Sequence, residues 1–454
     1  MGQYSVSELL RNLSCQLQSF QQTHQVKTWF VALSGGLDSR VLLDLLIQAQ
    51  AADGFPLPIR VIHVHHGVSQ SADDWMVFCE TLCNDYDTKF SELDIGFQAH
   101  QVEVSGKGSF EEQARRSRYQ IFESVLSQGD VLLMAHHLND QAETFLQRVM
   151  RGAGIQGLSS IPKNRALGKG YLFRPLLSET RQSLLDYAEQ GGLHWVEDES
   201  NQSLAYDRNF LRHEILPSLT QRWPKALSSI SRTLEIVSQE RQSLSYFRDQ
   251  WLSANDSEVS LSLVQLNTLP QPEQIGVLSH WVRKQSDYSL TQKQLNTLLN
   301  EVVKAQADAQ PVLLIGDVEY RRFQQRLYVV AKVDKASLTD WSERLALIPG
   351  QVHKVILPTG AELLFTPELC GLALPEDSIE VRFRQGGESF KPEGDNHTRE
   401  LKKWLQGHNI PPWQRSEIPL LYSNQRLLAV ADLASDDSVK GSEIEMGWKV
   451  TWKR

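Results

Sequence analysis

Between Lys27 and about Tyr187, short β-rich runs alternate with longer stretches in which apolar residues recur every three or four positions. The runs predict strands over 28–33, 58–65, 100–104 and 131–135, and the amphipathic stretches predict helices over 38–50, 72–86, 109–127 and 138–150. Alternation of this kind builds βαβ units, so the expected fold class is α/β, a doubly wound and mainly parallel sheet. Such sheets bind ligands beyond the carboxyl ends of their strands, which makes the residues just after each run the first candidates for function. After Pro217 the rhythm changes to helices alone, with Leu227, Ile230, Leu234, Val237, Leu244 and Phe247 on one stripe. A second helical unit carries Leu295, Leu298, Leu299, Val302 and Val303, ahead of β-like runs at 311–315 and 326–332. A linker is expected near 334–346. Beyond it, 355–357, 362–365, 379–383 and 427–430 predict strands around a helix containing Lys402 to Leu405. Three domains are therefore expected: 1–216, a mainly helical 217–345, and a small α+β domain over 346–454.

A chain of 454 residues exceeds what one hydrophobic core usually serves, which agrees with that division. No apolar run approaches the roughly 18 residues that a membrane span needs. The first twenty residues alternate at helical spacing and lack the apolar region and cleavage site of an export signal. Gly2 does not complete a myristoylation motif, because Val6 stands where Ser or Thr is required. Four scattered cysteines make no disulfide framework, so a reducing, cytoplasmic home is expected, with Cys79 and Cys83 as buried structural thiols. The net charge of −9 does not exclude RNA, since an acidic whole can carry local basic patches.

Chemistry concentrates where the first strand meets its helix, at Ser34, Gly35, Gly36, Leu37, Asp38 and Ser39. Two glycines let the backbone turn tightly and present N–H groups, the serines add hydroxyls, and the following helix contributes its positive end. This arrangement holds phosphates. It lacks the Lys and glycine spacing of a Walker A loop, so γ-phosphate transfer is not its natural use. Asp38 becomes a candidate Mg²⁺ ligand, because hard cations take carboxylate oxygens. Arg40, bulky for its place, is expected to point to solvent.

The second strand ends in IRVIHVHHG. His63 and His65 share a strand face while His66 points away, and no Cys or carboxylate joins them at zinc spacing. His65 and His66 are assigned to the neighbourhood of adenine and ribose, with a structural role in the core as the open alternative. The fourth strand leads into His136, Asp140, Glu143, Gln147 and Arg151 on one helix face and Leu138, Ala142, Phe145, Leu146 and Val149 on another. The polar face starts at the same sheet edge as the phosphate loop, which favours a functional role over a solvated surface.

SGGLDS resembles the loop of the PP-loop ATP pyrophosphatases, which cut ATP between the α- and β-phosphates and make an adenylated intermediate, the loop gripping pyrophosphate. The stretch Ala135–Leu158, AHHLNDQAET followed by RGAGIQGL, is similar to the tRNA(Ile)-lysidine synthases. It departs from them at Asn139, where an acid is frequent, and Asn139 is therefore not expected as a ligand. The likeness extends to Glu112, Ala114, Arg115, Arg118 and Tyr119, to Arg174, Pro175 and Leu176, to Trp195, Asp198 and Asn201, and to Arg208, Asn209 and Arg212. Ser109 with Glu112 also reads as a capping box. VRFRQGGE, LKKWLQGHNIPPWQR and PLLY resemble the family's C-terminal domain.

The resemblance implies ATP and Mg²⁺ as cofactors, with free L-lysine and an isoleucine tRNA bearing a CAU anticodon as partners. The cytosine oxygen of the wobble cytidine would attack the α-phosphate, and the lysine amine would then displace AMP to form lysidine. Asp38, Arg115, Asp140 and Glu143 would be catalytic, with metal at Asp38 and Asp140. Ser34 to Ser39, His65, His66 and His136 would hold ATP. Arg208, Arg212, Arg382, Arg384, Lys402, Lys403 and Arg415 would contact tRNA, with Trp404 and Trp413 stacking on exposed bases. Monomer and homodimer stay equally open. The enzymatic rivals are a tRNA thiolase of the same superfamily, which generally needs paired reactive cysteines or an iron–sulfur cluster, and a glutaminase-bearing synthetase, which needs a catalytic cysteine. A non-catalytic RNA-binding protein is the rival outside enzymes.

Overall fold

The structure is a computed structural model that describes residues 6–54, 56–65, 72–102, 110–197, 203–257, 260–285, 290–306, 309–331, 338, 340–375, 378–441 and 445–453. His66, Ser109, Asp198, Asn201 and the Glu112 side chain lie outside the described residues. The chain divides into two compact units, 1–246 and 247–454.

In the first unit the order is α1 (Val6–His24), β1 (Thr28–Ala32), α2 (Leu37–Ala51), β2 (Ile59–His65), α3 (Ala72–Lys89), β3 (Ile95–Gln101), α4 (Phe110–Val125), β4 (Asp130–Leu133) and α5 (Leu138–Met150). The short α6 (Ile155–Leu158), a hairpin of β5 (Asn164–Leu167) and β6 (Gly170–Phe173), and α7 (Arg181–Gln190) follow. The six strands form one sheet, ordered β3-β2-β1-β4-β6-β5. Every pair is parallel except β5 with β6. Burial on both faces is what a parallel sheet requires. Trp29 and Val31 pack on one face with Leu13, Leu17, Val41 and Leu42, while Phe30 packs on the other with Phe122, Leu126 and Leu132. Each such side chain contributes about 1.5–3 kcal/mol by leaving water.

The third strand starts earlier than its apolar residues suggest. It pairs Ile59 with Ile95 and ends at Gln101, and its half-exposed edge position tolerates the polar residues that hide it in the sequence. In the second unit a five-stranded antiparallel sheet runs in the order Asp256–Ser257, Ser260–Ser262, Arg326–Ala331, Val318–Phe323, Val312–Ile315. Helix Gln271–Gln285 packs on it through Leu278 and Trp281, against Tyr320 and Leu327. A further five-stranded sheet (Ser342–Leu345, Ile379–Arg382, Leu420–Ser423, Arg426–Val430, Ala434–Ser435) accompanies the helix Leu401–Gly407. Among the described residues no helix is long and apolar enough to cross a membrane.

Arg40 does not point to solvent. It is 5% exposed and lies beneath the phosphate loop, donating from Nη1 to the Tyr86 hydroxyl at 2.6 Å. Tyr86 in turn donates to Asp44, as does Tyr187 at 2.7 Å, so one carboxylate ties α2 to α3 and α7. A buried cation must have a counter-charge, and Asp44 lies 3.8 Å from the guanidinium. Replacing Asp44 by Ala strands that cation and should destabilise the fold by about 3–5 kcal/mol, whereas Tyr187→Phe removes one hydrogen bond and should cost about 1 kcal/mol. Urea unfolding reads both; equal, small effects would contradict the network.

Candidate active site

The loop after β1 is held open by its own residues. Gly35 sits at φ +88°, and a Cβ there would meet Val196 at 2.8 Å and Cys79 at 3.3 Å, so only glycine fits both the turn and the wall behind it. Gly35 accepts from the Val196 amide at 3.0 Å. The hydroxyls of Ser34 and Ser39 lie 3.0 Å apart, and Ser39 also accepts from the Ser34 amide at 3.2 Å and donates to the Gly36 carbonyl at 3.0 Å. Gly36 caps α2 with no side chain of its own, so the N–H groups of Leu37, Asp38 and Ser39 belong to the helix turn whose donors have no partner in the helix ladder. An anion is the natural acceptor for such a turn.

The fourth βα junction meets this loop through a residue that the helix periodicity passes over. α5 begins at Leu138, so His137 is its N-cap. His137 is fully buried, accepting at Nδ1 from the Asp140 amide at 3.4 Å while its own amide donates to Asp140 Oδ2 at 2.9 Å. With Nδ1 as acceptor, Nε2 carries the proton and lies 3.4 Å from Asp38 Oδ2 and 3.6 Å from Asp140 Oδ2. Asp38, His137 and Asp140 thus form one line across the sheet edge. Burial works against a charge on His137, but Asp140 and then Asp38 outweigh it and raise its pKa.

Asp140 and Glu143 are 6% and 0% exposed, so the polar face of α5 is no solvated surface. Their partners are Arg208, on α8 (Asp207–Phe210), and Arg212, in the π-helical turn Leu211–Ile215. Arg208 donates to Glu143 at 2.8 Å and to Asp140 at 2.6 Å; Arg212 donates to the two Glu143 oxygens at 2.7 and 3.1 Å and to Asp140 at 3.3 Å. The two arginines expected against RNA are thus brought to the carboxylates. Burial alone would raise the Asp140 pKa, yet His137 first and Arg208 next hold it down at about 2.

On the other side of this line, Arg174 follows β6 and donates from Nε to His136 Nδ1 at 3.1 Å. Burial drives the His136 pKa down to about 4, with Arg174, Arg208 and Arg115 reinforcing the fall and Asp140 opposing it. The exposed Arg115 stacks over Tyr119, 5.1 Å from the ring centroid. His65 stacks on His63 at 6.1 Å, and His63 contacts the Leu33 carbonyl at 2.8 Å, so this histidine pair backs the start of the loop. Asn139 accepts from the first amide of α7, at 3.0 Å from Arg181, a structural task that agrees with leaving it off the ligand set. Burial pushes the Cys79 and Cys83 thiols up to about 12, which suits structural residues and not reactive ones.

In the second unit, Arg382 lies 3.7 Å over the Tyr422 ring, Arg384 pairs with Glu388 at 3.2 Å, Lys403 pairs with Glu400 at 3.2 Å, and Arg415 donates to the Ile410 carbonyl at 2.8 Å. Lys402 is exposed. Trp404 stacks on His408 with centroids 3.8 Å apart. Trp413 is not available to a base: it is 6% exposed, with edges of Phe323 and Tyr328 and the Arg321 guanidinium on its ring.

A parallel sheet whose first strand runs into this serine–glycine cradle defines an ATP-using enzyme of the PP-loop class, and the family described as PP-loop domain matches residues 9–219. The TilS substrate binding domain matches 261–328 and the TilS substrate C-terminal domain matches 379–452. A tRNA(Ile)-lysidine synthase of Coxiella burnetii is 37% identical over 92% of this chain and 92% of its own length, and one of Proteus mirabilis is 38% identical over 88% and 90%. The chain belongs to the tRNA(Ile)-lysidine synthase family. A U34-tRNA thiolase from Methanococcus maripaludis with a 4Fe-4S cluster superposes at a TM-score of 0.42 and 19% identity, over 51% of this chain and 80% of that one.

Two outcomes test the electrostatics. In the NMR titration of the free protein, His136 should lose its proton near pH 4. The unfolded imidazole titrates near 6.5, so between these values the unfolded chain binds a proton the native state refuses, and stability falls as pH drops from about 6.5 to 4. A His136 titration above 6 would contradict this. Glu143→Ala should destabilise the first unit by roughly 3–5 kcal/mol in thermal or urea unfolding, because two guanidiniums lose their main acceptor; a change under 1 kcal/mol would count against the cluster.

Proposed function

We propose that this chain adenylates the wobble cytidine of an isoleucine tRNA with a CAU anticodon and then joins free L-lysine to the ring, forming lysidine. Family membership supports the reading, and the observation that carries it is the line Asp38–His137–Asp140, which couples the phosphate loop to the α5 carboxylates. In the first step the cytosine oxygen forms a bond to the α-phosphorus and the bond to pyrophosphate breaks. Ser34, Ser39 and the first-turn amides of α2 bind the departing pyrophosphate. In the second step the neutral lysine ε-amine bonds to carbon 2 of the ring, the carbon–oxygen bond breaks, AMP leaves, and the proton released from the nitrogen passes to solvent.

With its pKa near 2, Asp140 stays ionised and accepts protons poorly, so it serves to hold Arg208, Arg212 and the His137 amide in place rather than to deprotonate the lysine amine. Glu143, fully buried, accepts from both arginines and holds them in place beside Asp140. His136, kept neutral, adds no charge where the cytosine must enter.

Among the described residues no cluster of His, Cys, Asp and Glu is arranged to hold a metal by itself. Mg²⁺ rarely uses such a cage, and takes one or two carboxylates with substrate phosphates. Asp38 fits that use, because its Oδ1 is buried without a hydrogen-bond partner. The Asp140 oxygens are already taken by Arg208, Arg212 and the His137 amide. Bound there with ATP, Mg²⁺ would neutralise phosphate charge. We read 1–216 as the catalytic domain, with 217–345 and 346–454 as the tRNA-contacting domains. The setting is the cytoplasm.

Purified protein incubated with ATP, Mg²⁺, labelled lysine and unmodified isoleucine tRNA should label the tRNA and release AMP. Absence of label, with AMP formed on another acceptor, would redirect the assignment. Asp38→Asn should lower adenylate formation at least about a hundredfold while tRNA binding is kept; full activity would remove Asp38 from the phosphate site.

A further inference from the structure

Tyr119, on α4, gathers three guanidiniums. Arg115 and Arg165 lie 5.1 and 5.2 Å from its ring centroid, and Arg174 donates to its hydroxyl at 3.4 Å. Among the described residues none of these three arginines forms an ion pair with a carboxylate, in contrast to Arg208 and Arg212. Arg174 is only 3% exposed, and its other bonds go to the Pro162 carbonyl and to neutral His136. A buried guanidinium with no counter-charge is costly to keep. Burial lowers its pKa, and the nearby Arg165 and Arg115 lower it further. Such an arrangement suits a preformed receptor for an anion, whose charge would offset the guanidiniums.

The topology says which anion. Arg174 follows the carboxyl end of β6, and Arg165, in the antiparallel β5, pairs with Leu172 near that same end. Both therefore stand at the sheet edge that carries the phosphate loop, but with β4 and its His137 in between, two and three strands away from β1. At about 4.8 Å per strand this puts them roughly 10–14 Å from the pyrophosphate cradle. A pyrophosphate gripped by the loop does not reach there. A nucleotide whose base lies against the Asp38–His137–Asp140 line has room for its sugar-phosphate backbone on that far side. Guanidiniums gathered on an aromatic ring suit a phosphodiester.

We propose that Arg115, Arg165 and Arg174, arrayed on Tyr119, bind a backbone phosphate of the RNA substrate next to the target nucleotide. This assignment rests on the lysidine-forming reading above, and it moves Arg115 from the expected catalytic set to the RNA.

The test uses Arg165→Gln, an exposed position whose change leaves the core intact, and Arg165→Lys in the full chain. Binding of the CAU anticodon stem-loop is followed by fluorescence anisotropy over a salt series, beside the KM for ATP. Arg165→Gln should weaken stem-loop binding about tenfold and flatten the dependence of log Kd on log salt by about 0.7, with the KM for ATP within about twofold of the parent. Arg165→Lys should recover part of the affinity. Tyr119→Phe, which removes the acceptor of Arg174, should weaken the stem-loop in the same direction. Unchanged stem-loop binding in Arg165→Gln would overturn the proposal. So would a raised KM for ATP with RNA binding intact, which would mean that the cluster holds a phosphate of ATP. A parent protein that does not bind the stem-loop at all would overturn the lysidine reading together with this one.

Discussion

Two carboxylates, Asp140 and Glu143, can remain charged inside this protein because two guanidiniums reach them from a segment 65 to 72 residues further along the chain. Removed from water without Arg208 and Arg212, that pair of like charges would protonate or force α5 apart. With them, α8 and the π-helical turn are pinned to α5, and the N-terminal turn of α5 acquires a fixed shape. The reciprocal bonds of His137 and Asp140 then set where the imidazole points, and it points at Asp38. The position of the phosphate loop relative to the carboxylates follows from this chain of contacts and from the common sheet edge on which it is built.

Charge is sorted across that edge. The cradle on β1 offers amides and hydroxyls, the middle offers ionised carboxylates around a histidine, and the side beyond β4 offers guanidiniums. In the proposed reaction a triphosphate would meet the donors of the cradle and an RNA backbone the guanidiniums beyond β4, which would favour one orientation of each reactant. Beneath the cradle, Arg40 and Asp44 form a neutral pair locked by two tyrosines, so the helix carrying the loop is anchored without placing net charge behind the phosphates.

Much of this was legible from residue order. The loop could be read because Gly35, Gly36 and the serines stand directly between a strand and a helix, and a local motif carries its own geometry. α5 could be read because its polar and apolar faces separate at helical spacing. His137 is not marked by the same pattern: periodicity places His136 on the polar face, but the helix starts one residue after His137, and a capping residue obeys no helical period. The arginine–carboxylate pairing is equally invisible to local pattern, since it joins residues remote in sequence. Arg40 reads as exposed because its buried partners, Asp44 and Tyr86, leave no mark in the local pattern. The strand Val318–Phe323 is hidden because its hairpin turns through Gln324 and Gln325 at φ 45° and 61°, where glycine or asparagine would mark the bend.

The most direct test of the central claim is to follow α-labelled ATP with the complete protein and isoleucine tRNA in the absence of lysine. If the loop holds pyrophosphate while the Asp38–His137–Asp140 line receives the cytidine, label should accumulate on the tRNA as bound AMP, with one pyrophosphate released for each. Cleavage to ADP and inorganic phosphate, or pyrophosphate release with no label on the RNA, would contradict it.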